Sequence, residues 1–184
     1  MATWIAFLRG INVGGHGSLP MKDLVSLLED HGCKNVRTYI QSGNAVFEAT
    51  KVQATRLPKD IGAAVSKKRG FEPRMLVLSL ADLEAVAAAN PYPKATAEPR
   101  SLHVFFLSEK PSAPDIEAMN RIKDTHEHFT LSGKYCYLHT PNGFGTSKLA
   151  ARAERLLGVD ATARNWRTVT TMLEMGRPAK PGTT

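Results

Sequence analysis

Apolar positions along the chain alternate between a period of two and a period of three to four, and the switches between the two mark out its elements. From Thr3 to Arg9, Trp4, Ala6 and Leu8 fall on one side and Ile5 and Phe7 on the other, the two-sided apolarity of a central strand. After a glycine-rich loop from Gly10 to Ser18, Met21, Leu24, Val25 and Leu28 recur at helical spacing. Ser18 is placed to cap that helix, Pro20 suits its first turn and Gly32 stops it. Asn35–Gln41 and Ala45–Ala49 are β-rich runs around the turn Ser42-Gly43-Asn44, which predicts a hairpin. A second helix would bury Leu57, Ile61, Ala64 and Val65 and turn Arg56, Lys59 and Lys67 outward. Arg74–Ser79 then reads as a strand and Leu80–Asn90 as a helix.

The order β-α-β-β-α-β is that of a ferredoxin-like domain, and the second half of the chain repeats it. Leu102–Leu107 is a strand, and Ser112 and Pro114 open a helix bearing Ile116, Met119 and Ile122. Phe129–Leu131 and Tyr135–His139 flank a turn at Ser132-Gly133-Lys134. Leu149, Ala153, Leu156 and Leu157 form a helical face, and Asp160–Ala163 is a short strand. Trp166–Met175 is a final helix with Trp166, Val169, Met172 and Leu173 inward. The expected fold is therefore α+β: two ferredoxin-like βαββαβ halves from an internal duplication, plus a C-terminal helix. The halves are placed at 1–90 and 101–175, joined by a linker at 91–100 holding Pro91, Pro93 and Pro99, with a flexible tail over 176–184. The turns Gln41-Ser42-Gly43-Asn44 and Leu131-Ser132-Gly133-Lys134 echo each other at matching places.

Composition narrows the class. At 184 residues, 42% apolar and 22% charged, the chain has the usage of a soluble globular protein, not of a disordered, collagenous, coiled-coil or disulfide-stapled one. The apolar run Trp4–Leu8 is too short to span a membrane and has neither a basic region before it nor a cleavage site after it. Cys33 and Cys136 are far apart and suit a reducing compartment, so the expectation is a cytoplasmic protein with no membrane contact. Net charge is +7, of which residues 51–74 carry +5 and residues 151–184 carry +3. Two basic zones on a neutral body suit phosphate-rich partners.

Three segments could grip such a partner. The loop Arg9-Gly10-Ile11-Asn12-Val13-Gly14-Gly15-His16-Gly17 joins a strand to a helix start, where glycines expose N–H groups and the helix dipole favours an anion. It is not a Walker A loop, because His16 and Gly17 stand where Lys and Ser/Thr are needed. Nor is it a dinucleotide fingerprint, because Pro20 replaces the third glycine. A generic anion cradle remains, with Arg9, Asn12 and His16 at its rim. The second segment, Asn142-Gly143-Phe144-Gly145-Thr146-Ser147-Lys148, also opens a helix, and Lys148 in the first turn opposes the helix dipole unless an anion accompanies it. In the third, Asn165 caps a helix and Arg164 and Arg167 flank Trp166, an arrangement for phosphate contact or base stacking. His126-Glu127-His128 could place two imidazoles on one strand face, but no third ligand accompanies them and no metal is assigned. No cofactor is assigned, and no nucleophile–base pair stands out.

Trp4–Gly15, Leu19-Pro20-Met21, Asn35–Asn44, Ser147-Lys148-Leu149 and Ala161–Val169 together resemble a bacterial family, domain of unknown function 1697, over roughly residues 2–175. The resemblance implies a cytosolic two-part ferredoxin-like α+β protein and no reaction. Where many members carry lysine in the first glycine loop this chain has His16, and where many carry arginine before the Ser-Lys pair it has Thr146, so two fixed positive charges are missing. The function expected is binding of an anionic, phosphate-bearing ligand, either nucleic acid or a phosphorylated, nucleotide-like small molecule. Its expected contacts are Arg9, Asn12, Ser42, Asn44, Ser147, Lys148, Arg164, Asn165 and Arg167, brought together if three helix starts converge. The alternative is an enzyme with its site in the cleft between the halves, and a third reading is an interaction module with no small ligand.

Overall fold

The structure, a computed structural model, describes residues 1–15 and 17–178. Contacts divide the described residues into two units, one formed by residues 1–85 together with residues 171–178, the other by residues 86–170.

The first unit runs β1 (Ala2–Arg9), α1 (Met21–Asp30), β2 (Lys34–Tyr39), β3 (Asn44–Ala49), α2 (Lys51–Arg69) and β4 (Arg74–Ser79). Its antiparallel sheet has the order β2-β3-β1-β4, the ferredoxin-like βαββαβ topology. Ala6, Leu8, Ala45 and Phe47 face Leu24 and Leu28 of α1 and Leu57, Ile61 and Val65 of α2 in one core. Ile5 and Phe7, on the other side of β1, are buried as well, as expected of a central strand.

The helix ends follow local chemistry. In α2, Thr50 and Gln53 form a reciprocal capping box, and Gly70 closes the helix in the left-handed region. The cap expected at Ser18 is not used. The residue before α1 is Pro20, which offers no side-chain acceptor, and the Ser18 carbonyl instead accepts from Arg69 Nη1 at 3.1 Å. Arg69 also pairs with Asp23, tying the end of α2 to the start of α1.

After α3 (Leu80–Ala88), which stops two residues short of the expected Asn90, and a 3₁₀ turn over Pro93–Ala97, the second unit repeats the pattern. It runs β5 (Leu102–Leu107), α4 (Ile116–Ile122), β6 (His128–Ser132), β7 (Tyr135–His139), α5 (Lys148–Leu157) and β8 (Ala161–Asn165), with sheet order β6-β7-β5-β8. Phe105, Leu107, Met119, Leu138, Leu149 and Leu157 form its core. The cap of α4 is Asp115, whose carboxylate accepts from Ala118 N at 2.9 Å, not Ser112. His126 precedes β6 in a turn, its backbone N–H donating to Asp124 Oδ1, so His126 and His128 do not share a strand.

The chain closes with α6 (Trp166–Gly176). Residues 171–178 belong to the first unit, where the Met175 carbonyl accepts from Arg37 and Arg177 Nε meets Glu84 Oε1 at 3.1 Å. Of the tail expected from Gly176, residues 179–184 lie outside the described residues. Among the described residues no helix is long and apolar enough to cross a membrane. Both cysteines are buried, and burial pushes the Cys33 thiol up to about 11 and that of Cys136 to about 12, which makes them inert hydrophobes.

Candidate functional site

At one end of the first sheet, Arg9, Asn12, Ser42 and Asn44 come together. Leu8 N donates to the Gly43 carbonyl at 2.8 Å, joining the end of β1 to the β2–β3 turn. Gly43 has φ +74, and a Cβ there would lie 2.6 Å from Leu8 Cβ and 2.7 Å from Ile11 Cδ1. Asn12, itself left-handed at φ 53, uses its whole carboxamide. Nδ2 donates to the Leu19 and Gln41 carbonyls at 2.9 and 2.8 Å, and Oδ1 accepts from Leu19 N at 2.9 Å. Asn44 is fully buried and donates to the Tyr39 carbonyl and Ser42 Oγ. These amides hold the loop and the turn to each other.

The glycine loop is folded back on itself. Asn12 N donates to the Gly17 carbonyl, and a Cβ on Gly17 would fall 2.2 Å from the Gly10 carbonyl oxygen. His16, expected at the rim, lies outside the described residues. Arg74, absent from the residues expected on sequence grounds, opens β4 in direct register with Arg9. The signal lies in the topology, where the last residue of the first strand faces the first residue of the fourth.

The second glycine loop is not the counterpart of the first. It joins the third strand of its unit to the second helix, whereas Gly10–Ser18 joins the first strand to the first helix. Gly143, at φ +110, turns the chain into a 3₁₀ turn over Phe144–Thr146, where Thr146 Oγ1 donates to the Asn142 and Gly143 carbonyls. Ser147 Oγ caps α5 by accepting from Ala150 N at 2.9 Å. Lys148 is the first helical residue and is exposed. The turn rests on β5: the His103 ring stacks on Phe144, centroids 3.7 Å apart and planes 20° apart, and His103 is in register with Asn165 of β8.

In front of this turn lies a depression of about 340 Å³. Asn142, Thr146, Ser147 and Lys148 line one side, and Lys123, Asp124 and Glu127 the other. Lys123 Nζ donates to the Glu127 carbonyl at 3.4 Å, and the buried Glu127 carboxylate accepts from Asp124 N at 3.0 Å. By position, the N–H groups of Lys148 and Leu149 have no partner within the helix.

The third expected segment stands apart from this depression. Asn165 caps α6, accepting from Thr168 N at 2.9 Å, and Trp166 is buried in the helix start. Arg164 donates from Nη1 to the Ala163 carbonyl, and burial pulls its guanidinium down to about 10. Arg167 is exposed, and none of the three lines the depression.

His103 is expected to make the second unit acid-sensitive. Its Nδ1 is buried with no hydrogen-bond partner, and burial lowers the imidazole from 6.5 to about 4. Below pH 6.5 the unfolded chain therefore takes up a proton that the folded chain refuses, so stability falls as pH drops from 6.5 toward 4. With 1.36 kcal/mol per pH unit of differential protonation, reduced for residual solvent access, the loss from pH 6.5 to 4.5 is about 2 kcal/mol. Urea midpoints at the two pH values should show it, and His103→Phe, which keeps a ring against Phe144, should remove most of the difference. An unchanged slope in that variant would assign the sensitivity elsewhere.

A family model described as "Protein of unknown function (DUF1697)" matches residues 1–137. The match stops short of the 147–149 and 161–169 segments that carry part of the resemblance. Among solved structures, the chain is similar to conserved bacterial protein SP0830 from Streptococcus pneumoniae, with 23% identity, 95% of this chain and 98% of that chain covered, and a TM-score of 0.70. At that identity the likeness establishes the fold. No curated protein matches the chain.

Proposed function

We propose, for a chain that belongs to the DUF1697 family of proteins of unknown function, that it binds a small phosphate-bearing, nucleotide-like ligand in the depression at the start of α5. The observation that carries this reading is the composition of that one depression. Lys148 and the first turn of α5 lie across about 340 Å³ from Lys123 and the carboxylates of Asp124 and Glu127, the lower range of small-ligand pockets. A phosphate suits Lys123, Lys148 and the helix start, where the dipole adds about half a positive charge. Asp124 and Glu127 suit the hydroxyl or amino donors that a nucleotide's sugar and base present. Lys148, unfavourable at a helix start by itself, is then matched to an anion.

Of the residues expected from the sequence, Ser147 and Lys148 are the ligand contacts in this reading, joined by Lys123 and Thr146. Asn12, Asn44 and Asn165 hold backbone.

The small-ligand form is favoured over nucleic acid by the state of the sheet faces. Four-stranded sheets of this topology take single-stranded RNA by stacking bases on exposed aromatics of the two central strands. Here Phe106 of β5 and Tyr137 of β7 are each 1% exposed, and Tyr137 OH donates to the Val86 carbonyl. In the first unit Phe7 is fully buried.

Calorimetric titration with pyrophosphate and adenosine monophosphate at low salt tests the assignment. Losing one charge-assisted hydrogen bond removes about 1.5–3 kcal/mol, so Lys148→Ala and Lys123→Ala should each weaken binding at least tenfold. Binding that ignores both substitutions would place the anion elsewhere. A mobility shift of single-stranded RNA that is stronger than the response to either small anion would restore the nucleic-acid form.

A further inference from the structure

The second sheet carries another group of side chains, outside the α5 depression, with chemistry of its own. His128 opens the edge strand β6 and stands directly opposite His139, the last residue of β7. Direct antiparallel partners project from the same face with Cβ atoms about 4.5–5.5 Å apart. The two imidazoles lie nearly parallel, with centroids 6.2 Å apart and planes 15° apart. Tyr92 closes the third side, its ring 6.3 Å from that of His128 and 6.1 Å from that of His139. A 2.8 Å hydrogen bond between Tyr92 OH and Thr130 Oγ1 holds the tyrosine in place. His128 is exposed and His139 partly so, which leaves the pair open to solutes.

We propose that His128 and His139 together bind a divalent late-transition ion of the Zn²⁺, Ni²⁺ or Cu²⁺ kind at this sheet edge. Imidazole nitrogen is a preferred ligand for these ions, at metal–nitrogen distances of about 2.0–2.1 Å. The β6–β7 ladder already fixes both backbones, so capture requires only side-chain rotation that brings one nitrogen of each ring to a shared ion. Tyr92, packed against both rings, narrows the rotamers they must give up. Among the described residues no cluster of three or more His, Cys, Asp or Glu side chains accompanies the pair, so water completes the coordination. That makes the site weaker than a structural zinc centre and leaves the ion open to an added ligand. The pairing is across strands and not along the chain, because His126 sits in the turn before β6.

The untagged full chain, titrated with Cu²⁺ alone by calorimetry and electron paramagnetic resonance, tests this. Cu²⁺ is the probe because it binds nitrogen sites most tightly among these ions. Expected are one ion per chain, hyperfine structure from two imidazole nitrogens, and an affinity at least tenfold lower in both His128→Ala and His139→Ala, with His126→Ala unchanged. His139→Gln serves as the second variant if His139→Ala does not give the parent circular dichroism spectrum. Loss of the signal in His126→Ala with retention in the His139 variants would put the ion on neighbouring chain positions and overturn the assignment. Equal binding by parent, His128 and His139 variants would do the same by showing an adventitious ion only.

Discussion

Gly17→Ala should lower the stability of the first unit by about 2–5 kcal/mol. A side chain there suffers twice: φ is +64, and the new Cβ would lie 2.2 Å from the Gly10 carbonyl oxygen. A left-handed backbone costs a non-glycine residue about 1–2 kcal/mol. The contact with backbone adds about 1–3 kcal/mol more, because no rotamer can relieve it. Gly70→Ala separates the two contributions, since its φ is +76 and nothing lies within 4 Å of an added Cβ. It should cost only the conformational part. Urea denaturation of both variants decides the matter. Equal losses would mean that the Gly10–Gly17 contact is not enforced in solution.

Asn12→Ala should cost about 3–4 kcal/mol, more than the usual deletion of an exposed amide. Three hydrogen bonds disappear at once, each with a net value of about 1 kcal/mol, and alanine is less tolerant than asparagine of the left-handed backbone at φ 53. Asn12→Gly relieves the backbone but still lacks the bonds, so it should recover about 1 kcal/mol of the loss. Phosphate affinity at the α5 depression should survive in whichever of these variants folds. If instead Asn12→Ala kept full stability and lost anion binding, the residue would be a ligand contact and not a brace.

These two residues show what is legible in the sequence. The elements are readable because period and punctuation agree. Trp4, Ala6 and Leu8 alternate against Ile5 and Phe7, Met21, Leu24 and Leu28 recur every three to four positions, and Gly32 sits where the first helix ends. The repeated βαββαβ order then leads to both sheets, including the placement of β1 and β5 at their centres. Caps are less legible, because Ser18, Ser112 and Asp115 are all competent cappers and only the entry angle of the chain selects among them. The strand expected to run on through Ile40 and Gln41 ends at Tyr39, since Ile40 is a strand former by type yet adopts φ 47 to start the turn.

The site is legible only as residue types. Asparagine in a glycine loop reads equally as a ligand contact or as a backbone brace. The choice depends on whether Leu19 and Gln41, distant from one another in the chain, come within reach of one carboxamide. Lys123 is hidden for a related reason: it follows α4, and only the packing of that helix end beside α5 puts it across from Lys148.

Because the first unit incorporates the segment from Thr171, a nascent chain cannot complete it when residue 85 leaves the ribosome. The partners of Arg37 and Glu84, the Met175 carbonyl and Arg177, emerge only after the whole of 86–170 has been translated. At synthesis rates of about 5–20 residues per second that is a wait of roughly 4–17 s. The unit that begins first is thus the one that finishes last, and a stop codon placed just after Thr170 would injure the amino-terminal sheet.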